Sequence, residues 1–315
     1  MTQEDLRPII VTICCTVYNH EPYIRKCLEG FVMQKTNFRF EAIVHDDAST
    51  DNSVEIIKEF EEKYPDIIKP IYEVENQYSK HGGSLWRILN EHIRGKYVAF
   101  CEGDDYWTDP LKLQKQVYFF KNHPECSLTY HACRNVFVDI VDKTTYGETV
   151  KESYTSATLL NDYFHTATIL VKKEVLDSDL YQKASAINCP SGDTILCLTA
   201  SRLGAIQGVN EQMSVYRRHS GGISQSMENQ SKIFENFKAW VEVASLFGSD
   251  INRWLKRNRL KFYIVKSFRL KDFRLLFKLL CYGFFKAPVS VILALREITL
   301  YCFKRIIHLD FVQKH

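Results

Sequence analysis

Short apolar runs alternate with segments of helical periodicity over the first hundred residues, and this alternation restricts the fold more than any other feature. We predict strands over residues 9–17, 40–44, 67–74 and 97–101. Apolar residues recur at helical spacing between them, which predicts helices over residues 23–34, 54–60 and 84–93. A strand–helix–strand order is typical of a parallel sheet with helices on both faces. The sequence therefore predicts an α/β fold built on a mostly parallel sheet.

The remainder of the chain is predicted to complete a first domain and then to form a helical region. A helix over residues 111–122 is followed by a less regular stretch that runs to about residue 165. Further along, the pattern predicts a strand over residues 166–171, a helix over 194–202 and a strand over 205–209. The first domain is predicted to span residues 1–225. Residues 226–315 are predicted to form a basic amphipathic α-helical tail, because basic and apolar residues alternate in them.

The composition is that of a globular protein whose charge is unevenly distributed. Of the 315 residues, 45% are hydrophobic and 25% are charged, which is enough for one large domain or one domain with an appendage. Residues 251–315 hold 15 Lys and Arg against 3 Asp and Glu, whereas the first 250 residues hold 26 against 35. An acidic body thus precedes a basic tail.

Two features indicate the compartment. The first eight residues, MTQEDLRP, are acidic, and no positively charged stretch leads into an apolar segment, so we expect no secretory signal and a cytosolic protein. The ten cysteines are scattered and form no C-x-x-C pair, which argues against a disulfide framework or a zinc site. We expect them to be reduced and to pack as small apolar residues.

The segment VAFCEGDDYW, residues 98–107, ends an apolar strand in three carboxylates, Glu102, Asp104 and Asp105. Carboxylates this close raise one another's pKa unless a positive charge lies between them. Mg²⁺ and Mn²⁺ take one or two carboxylates together with phosphate oxygens, so we predict a divalent metal site here. The structural alternative is a solvated acidic turn, which has no need of a buried strand directly behind it.

A second acidic pair, Asp46 and Asp47, follows the second predicted strand. The structural alternative is an Asx turn with helix capping, in which Asn52 is the N-cap and Glu55 returns the bond. A turn needs only one acceptor, so we predict that Asp46 or Asp47 faces a ligand and hydrogen-bonds a nucleobase. The loops after three strands are expected to meet at one edge of the sheet, where parallel sheets bind ligands.

Two later segments carry groups suited to acid–base and phosphate chemistry. Asp193 lies in a Pro-Ser-Gly-Asp loop directly before a helix, where it acts either as a general base or as an N-cap. Arg217, Arg218 and His219 precede Ser-Gly-Gly at 220–222, and forked guanidinium donors, an imidazole and a Gly-rich backbone together suit a diphosphate. The polar loop at 76–83 either lines the same cleft or is a plain loop.

Three common nucleotide-binding and hydrolase motifs are missing from the sequence. It contains no G-x-x-x-x-G-K-[ST], no G-x-G-x-x-G and no G-x-S-x-G. Phosphate chemistry in this chain is therefore expected to depend on a metal ion and on arginine.

Over residues 9–225 the chain resembles a family 2 glycosyltransferase with the GT-A fold, a Rossmann-like architecture. The resemblance is carried, in order, by ICCTVYNHEPYI, VHDDASTDNS, FCEGDDYWTDPLKLQKQ, HTATILVKK, PSGD and MSVYRRHSGG. It implies inverting transfer of a sugar from a nucleotide-sugar donor, most simply a UDP-sugar, to a saccharide or lipid-linked acceptor. It further implies Mn²⁺ or Mg²⁺ as the cofactor and cell-surface polysaccharide or lipopolysaccharide synthesis as the setting.

The resemblance also implies a role for each matching position. The donor is expected to contact Thr16, Tyr18, Asn19, Asp46, Asp47, Glu102, Asp104, Arg217 and Arg218. The metal is expected to contact Asp104, Asp105 and His219, and Asp193 is expected to be the catalytic base that deprotonates the acceptor hydroxyl. Two positions depart from the family's pattern: Glu102 stands at the first D-x-D position, and a frequent proline near Thr16 is missing.

The basic tail, residues 251–315, fits a helix that lies on an anionic membrane surface. Its longest stretch without a charge, residues 287–295, is too short to span a bilayer. The alternatives are a helical cap on the first domain or a face for homo-oligomers. Nucleic acid is not expected as a partner, because the apolar residues exceed what a phosphate-tracking face needs. The expected location is the cytoplasm, peripherally on the inner face of the membrane.

Two other functions fit parts of the sequence. A Mg²⁺-dependent phosphatase or nucleotidyltransferase would use the HDDAST stretch but has no use for PSGD or YRRHSGG. A non-catalytic module that only binds a sugar nucleotide or a partner would be unaffected by the loss of Asp193.

Overall fold

The computed structural model of the protein describes residues 7–80, 84–138, 153–154, 165–189, 191–220 and 232–312. The chain divides into two compact units. The first comprises residues 1–186 and 191–225, and the second comprises residues 187–190 and 226–315. Each unit has its own buried apolar residues.

In the described part of the first unit, nine strands form one sheet with helices packed against it. The strands are β1 (Ile9–Val17), β2 (Arg39–Asp46), β3 (Ile68–Tyr72), β4 (Tyr97–Phe100), β5 (Tyr106–Trp107), β6 (Cys126–Phe137), β7 (Ser153–Tyr154), β8 (Leu170–Lys172) and β9 (Ala205–Arg218). The helices are α1 (Glu21–Val32), α2 (Ser53–Lys63), α3 (Ser84–His92), α4 (Lys112–Asn122), α5 (Lys173–Leu176), α6 (Asp179–Ser185) and α7 (Gly192–Leu203).

The first half of the sheet is parallel, as the sequence predicts. The strands lie in the order β3-β2-β1-β4, and each neighbouring pair is parallel. Both faces of β1 are buried against other elements, which explains its uninterrupted apolar sequence. The order continues β8-β6-β9-β5 with antiparallel and parallel pairs mixed. The predicted α/β class is confirmed.

Three predicted elements of the second half are corrected. The less regular stretch contains the 12-residue strand β6, in which Thr129 and His131 are buried polar residues that hide the apolar pattern. The strand predicted over 166–171 is a 3₁₀ turn, Thr166–Thr168, followed by the short strand β8. Strand β9 extends from Ala205 through Arg218, well beyond the predicted end at residue 209, so both arginines lie at its end.

A glycine joins the turn before β4 tightly to β1. A Cβ atom on Gly95 would lie 2.4 Å from the backbone nitrogen of Thr12, so no larger side chain fits without moving the backbone. The Thr12 hydroxyl accepts the N–H group of Gly95 at 2.8 Å and donates to the buried Glu41 carboxylate at 2.9 Å. Arg94 pairs with the same carboxylate.

The second unit is helical, as the sequence predicts for this region. Its helices are α8 (Ile233–Leu246), α9 (Ser249–Leu255), a π-helical turn (Lys256–Leu260), α10 (Lys261–Arg269), α11 (Phe273–Lys286) and α12 (Pro288–Val312). Phe237, Trp240 and Leu279 are fully buried in it. Among the described residues, no helix is both long and apolar enough to cross a membrane.

Candidate active site

The loops that follow β1, β2 and β4 lie side by side at the carboxyl edge of the sheet. The backbone N–H of Asp47 donates to the carbonyl of Val17 at 2.8 Å, and the N–H of Gly103 donates to the carbonyl of Thr16 at 2.9 Å. The structure thus brings together the three loops that the sequence placed at one edge.

The first two loops are joined by their own polar groups. The Asn19 side-chain oxygen accepts the N–H of Thr50 at 2.8 Å, and the Asn19 N–H donates to the Ser49 hydroxyl at 2.9 Å. The Glu21 carboxylate accepts the N–H of Asn52 at 3.2 Å. The capping bond predicted between Asn52 and Glu55 is therefore wrong, because Glu21 of the neighbouring loop takes that place.

The residues of the first loop that were predicted to contact the donor differ in their surroundings. The Asn19 side chain binds the neighbouring loop, so it holds the shape of the rim. Tyr18, which directly precedes Asn19, is 47% exposed, and Thr16 is half-buried. Whether each touches the donor stays a prediction.

Asp46 and Asp47 both have structural partners, which corrects the argument that the turn needs only one of them. One Asp46 oxygen, Oδ2, accepts the N–H of Ser49 at 3.0 Å. Asp47 accepts the N–H groups of Gln77 and Tyr78, at 2.5 and 3.0 Å, and so holds the loop after β3. The other Asp46 oxygen, Oδ1, is buried without a hydrogen-bond partner among the described residues. Of the carboxylate oxygens of Asp46 and Asp47, Oδ1 of Asp46 is therefore the best candidate to bind a ligand.

The acidic corner after β4 consists of Glu102, Asp104 and Asp105. Asp104 accepts a hydrogen bond from His219, with 3.1 Å between Oδ2 and Nε2, and His20 Nε2 lies 4.0 Å from the same oxygen. A Cβ on Gly103 would lie 2.7 Å from Nδ1 of His20, so glycine is needed for this close approach. His20 was not predicted as a site residue; its position between Asn19 and helix α1 was the available signal.

The surroundings shift the pKa values of the three carboxyl groups in different directions. Burial, followed by the charge of Asp104, raises the pKa of Glu102 to about 7, and Asp193 adds to the rise. Burial and the charges of Asp104 and Glu102 also raise the pKa of Asp105. Burial opposes ionisation of Asp104, but the hydrogen bond from His219 and the nearby imidazoles outweigh it, so its pKa lies below the ordinary value. Burial and mutual repulsion therefore disfavour the ionised forms of Glu102 and Asp105 unless a cation lies beside them.

Arg217 braces the acidic corner from the end of β9. Its backbone N–H donates to Oδ1 of Asp105 at 2.8 Å, and its guanidinium donates to the backbone carbonyl of Asp104 at 2.6 Å. The guanidinium also lies over the rings of Tyr106 and Tyr23, at 4.3 and 5.3 Å from their centroids. Residues more than a hundred positions apart in the sequence are thereby fixed together.

His219 and Arg218 differ from Arg217 in their contacts. His219 is 6% exposed and packs against the Tyr23 ring, with 4.6 Å between centroids. The Arg218 guanidinium lies over Phe137, 5.7 Å from the ring centroid. The glycines predicted to follow, residues 221–222, lie outside the described residues.

Asp193 lies in the first turn of α7, and Ser191 occupies the N-cap position. The alternative that Asp193 is the N-cap is therefore wrong. Asp193 is half-buried, and its charge contributes to the raised pKa of Glu102, which places it near the acidic corner. Trp86 was not predicted at the site, yet its indole Nε1 lies 3.9 Å from the Cβ position of Gly192. Pro190 and Gly83 of the two predicted loops are outside the described residues.

The predicted metal ligands are placed unequally. Within the described ranges, no group of three or more His, Cys, Asp and Glu residues is arranged to hold a metal ion. Asp104 and His219 lie together at the corner, and two protein ligands completed by phosphate oxygens suit Mg²⁺ or Mn²⁺. Asp105 is buried and accepts the backbone N–H of Arg217, and its role as a metal ligand stays a prediction.

The chain is similar in sequence to a known family and to several proteins. The sequence model of glycosyl transferase family 2 matches residues 12–176. An uncharacterised protein of Mycobacterium tuberculosis is 34% identical over 226 residues, which cover 71% of this chain and 63% of that protein. The alignment therefore spans less than two thirds of that relative's length. The Escherichia coli UDP-Glc:alpha-D-GlcNAc-diphosphoundecaprenol beta-1,3-glucosyltransferase WfaP is 25% identical over 256 residues, 78% of this chain and 95% of that enzyme.

Solved structures share the fold. S. aureus TarS 1–349 in complex with UDP-GlcNAc superposes with a TM-score of 0.65 at 19% identity, covering 91% of this chain and 84% of that one. The mannosyltransferase PcManGT of Pyrobaculum calidifontis, in complex with GDP-Man and Mn²⁺, gives 0.53 at 15% identity, with coverages of 95% and 82%. These likenesses show the fold, and the family match spans more than half of the chain. The chain belongs to glycosyl transferase family 2, with the GT-A fold that its sequence resembles.

Proposed function

We propose that the protein transfers a sugar from a nucleotide-sugar donor to a hydroxyl of a saccharide or lipid-linked saccharide. The observation that carries the proposal is the acidic corner, where the Asp104–His219 pair lies at the same sheet edge as Asp46 and within electrostatic reach of Asp193. The donor is proposed to be a UDP-sugar. Support comes from TarS, which was solved with UDP-GlcNAc, and from WfaP, whose name includes UDP-Glc and a diphosphoundecaprenol acceptor.

The residues of the first unit have distinct proposed roles. The free Asp46 oxygen accepts a hydrogen bond from the nucleobase, and the exposed Tyr18 ring lies along the donor. Thr16, Asn19 and Asp47 hold or line the rim. Glu102 is proposed to hydrogen-bond a ribose hydroxyl, and Arg218 is proposed to pair with the diphosphate. Arg217 fixes the corner.

Asp104 and His219 are proposed to hold Mn²⁺ or Mg²⁺ together with the donor's diphosphate. A cation there would favour the ionised forms of Glu102 and Asp105, whose pKa values are raised by burial and by the neighbouring carboxylates. When bound, such an ion supplies positive charge that stabilises the departing nucleoside diphosphate. The structural neighbour PcManGT was solved with Mn²⁺.

Asp193 is proposed to be the general base. It accepts the proton of the acceptor hydroxyl while that oxygen attacks the anomeric carbon from the face opposite the leaving diphosphate. One displacement of this kind inverts the anomeric configuration and forms no covalent sugar intermediate. A half-buried carboxylate in the first turn of a helix, beside the acidic corner, is suited to this step.

The unit of residues 1–225 is proposed to be the catalytic domain. The proposed setting is the cytoplasmic face of the membrane, in synthesis of a cell-surface polysaccharide or lipopolysaccharide. The diphosphoundecaprenol in the name of WfaP supports a lipid-linked acceptor.

The test is to replace Asp193 by Asn and to measure release of the nucleoside diphosphate from a panel of UDP-, GDP- and dTDP-sugars with Mn²⁺. We expect release to fall by roughly 10²–10⁴-fold, since that is the usual contribution of a general base. Nucleotide binding, measured by calorimetry, should be nearly unchanged. Asp179→Asn, at an exposed first-turn position of α6, is the matched control and should keep full activity. Retained turnover in Asp193→Asn would remove Asp193 from the base role.

A further inference from the structure

Helix α11 exposes a row of aromatic side chains on the side opposite its buried residues. Phe273, Phe277 and Phe284 are 64%, 68% and 65% exposed, and Phe285 is 82% exposed. Spacings of four and seven residues place the first three on one helix face. Leu275, Leu279 and Gly283 are buried, and their spacing of four residues places them together on the other face. The four phenylalanines define the aromatic face.

The start of α12 continues the same exposure pattern. Ile292 is 65% exposed and Val289 is 42% exposed, while Val291 and Ala294 are buried. Single exposed apolar residues are common on protein surfaces, but several large ones along one helix mark an interaction surface. The aromatic face is therefore built to be covered.

Basic residues flank the aromatic face. Lys271 lies just before α11, and Arg274, Lys278 and Lys286 lie within it; all four are exposed. Across residues 251–315 the chain holds 15 basic and 3 acidic residues. Two copies of such a surface would repel each other, which argues against a second copy of this chain as the occupant. The exposed phenylalanines also argue against nucleic acid as the occupant, because binding to a phosphate backbone depends on cations and needs no such apolar surface.

We propose that the aromatic face and its flanking cations dock on an anionic lipid bilayer. Phenylalanine rings enter the boundary between headgroups and acyl chains, while long Lys and Arg side chains reach the phosphate groups. The neighbouring cations add an electrostatic attraction to anionic lipids, and salt weakens this attraction. The inference is independent of sugar transfer, because binding to vesicles needs no donor.

The test is flotation of the full-length protein with vesicles of phosphatidylcholine alone or with roughly one third phosphatidylglycerol. We expect the wild type to float only with the anionic vesicles, and less as salt rises. The triple variant Phe277→Ser/Phe284→Ser/Phe285→Ser should bind about tenfold more weakly or worse, because binding scales with buried apolar area. The matched control is Val74→Ser/Tyr118→Ser/Leu203→Ser, which changes three exposed apolar residues of the first unit and should float like the wild type.

A second variant guards against misfolding of the first. Arg274→Gln/Lys278→Gln/Lys286→Gln keeps the aromatic face and should lose the preference for anionic vesicles. Flotation of the triple serine variant at the wild-type level would overturn the proposal. A wild-type protein that fails to float would also overturn it. If that protein is a dimer that the serine variant dissociates, the aromatic face is an interface between copies of the chain. Either result leaves the proposed reaction untouched, since turnover is measured separately.

Discussion

Protonation of Glu102 should affect the stability of the protein. Its pKa is raised to about 7, chiefly by burial and by the charge of Asp104. In the folded protein it therefore binds a proton over a range where the unfolded chain has released it. By linkage, the free energy of unfolding falls as the pH rises from about 4.5 to about 7, and the loss persists above that range.

We predict that the melting temperature of the metal-free protein falls by roughly 2–6 °C between those pH values through Glu102. Glu102→Gln should flatten this part of the profile, because the neutral amide carries no charge to repel Asp104. Thermal melts over the pH series measure the effect. Glu62→Gln, an exposed position on α2, is the control and should leave the profile unchanged. An identical slope in Glu102→Gln would show that Glu102 is not the titrating group.

Arg217 illustrates a role that the sequence does not reveal. Its pattern suggested a diphosphate ligand, but its guanidinium is held by the Asp104 carbonyl and two tyrosine rings. The partners lie in segments far from it in the chain, and hydrogen bonds of this kind depend on the tertiary fold. The same holds for Asn19 and Asp47, whose side chains hold neighbouring loops.

Replacement of Arg217 by Ala should destabilise the protein without any donor, by about 2 kcal/mol, since a charge-assisted hydrogen bond and two ring contacts are lost. Chemical denaturation of the ligand-free protein measures this difference. Arg87→Ala, at an exposed position of α3, should change it little. If Arg217→Ala weakened only donor binding and left the ligand-free stability intact, the bracing role would be wrong.

At the scale of elements, the strands that the sequence predicts best are those buried on both faces of the sheet. Strands β1 and β4 are buried between layers and are apolar apart from two threonines in β1, and β2 contains the apolar run Ala42, Ile43 and Val44, so the sequence predicts all three. Strand β6 carries buried polar residues, and residues 210–212 in the middle of β9 are exposed, so neither strand shows a clean periodicity. Residues 138–169, between β6 and β8, include ranges outside the described part of the chain.

The junction between α3 and β4 depends on Gly95. We predict that Gly95→Ala destabilises the protein by about 2 kcal/mol or more, because the added Cβ would meet the Thr12 backbone, which cannot rotate away. Gly192→Ala is the matched control: its added Cβ finds no atom closer than 3.9 Å and should cost little. Denaturation midpoints compare the two. Equal stability of both variants would mean that the turn adjusts without cost.

At the scale of the whole molecule, the sequence predicted the family, the fold class and the edge of the sheet that carries the site. It did so because family motifs and strand ends are local features, whereas the braces and the added neighbours His20 and Trp86 are tertiary ones. The division of charge between an acidic body and a basic tail was also visible in composition. What the tail does depends on which helix faces are exposed, and only the structure shows those.

The most direct test of the account is anomalous diffraction from crystals soaked with UDP and Mn²⁺. The account predicts a manganese peak between Asp104 and His219, in contact with the diphosphate, with the uracil near Asp46. A corner without manganese, or a nucleotide bound elsewhere on the protein, would contradict it.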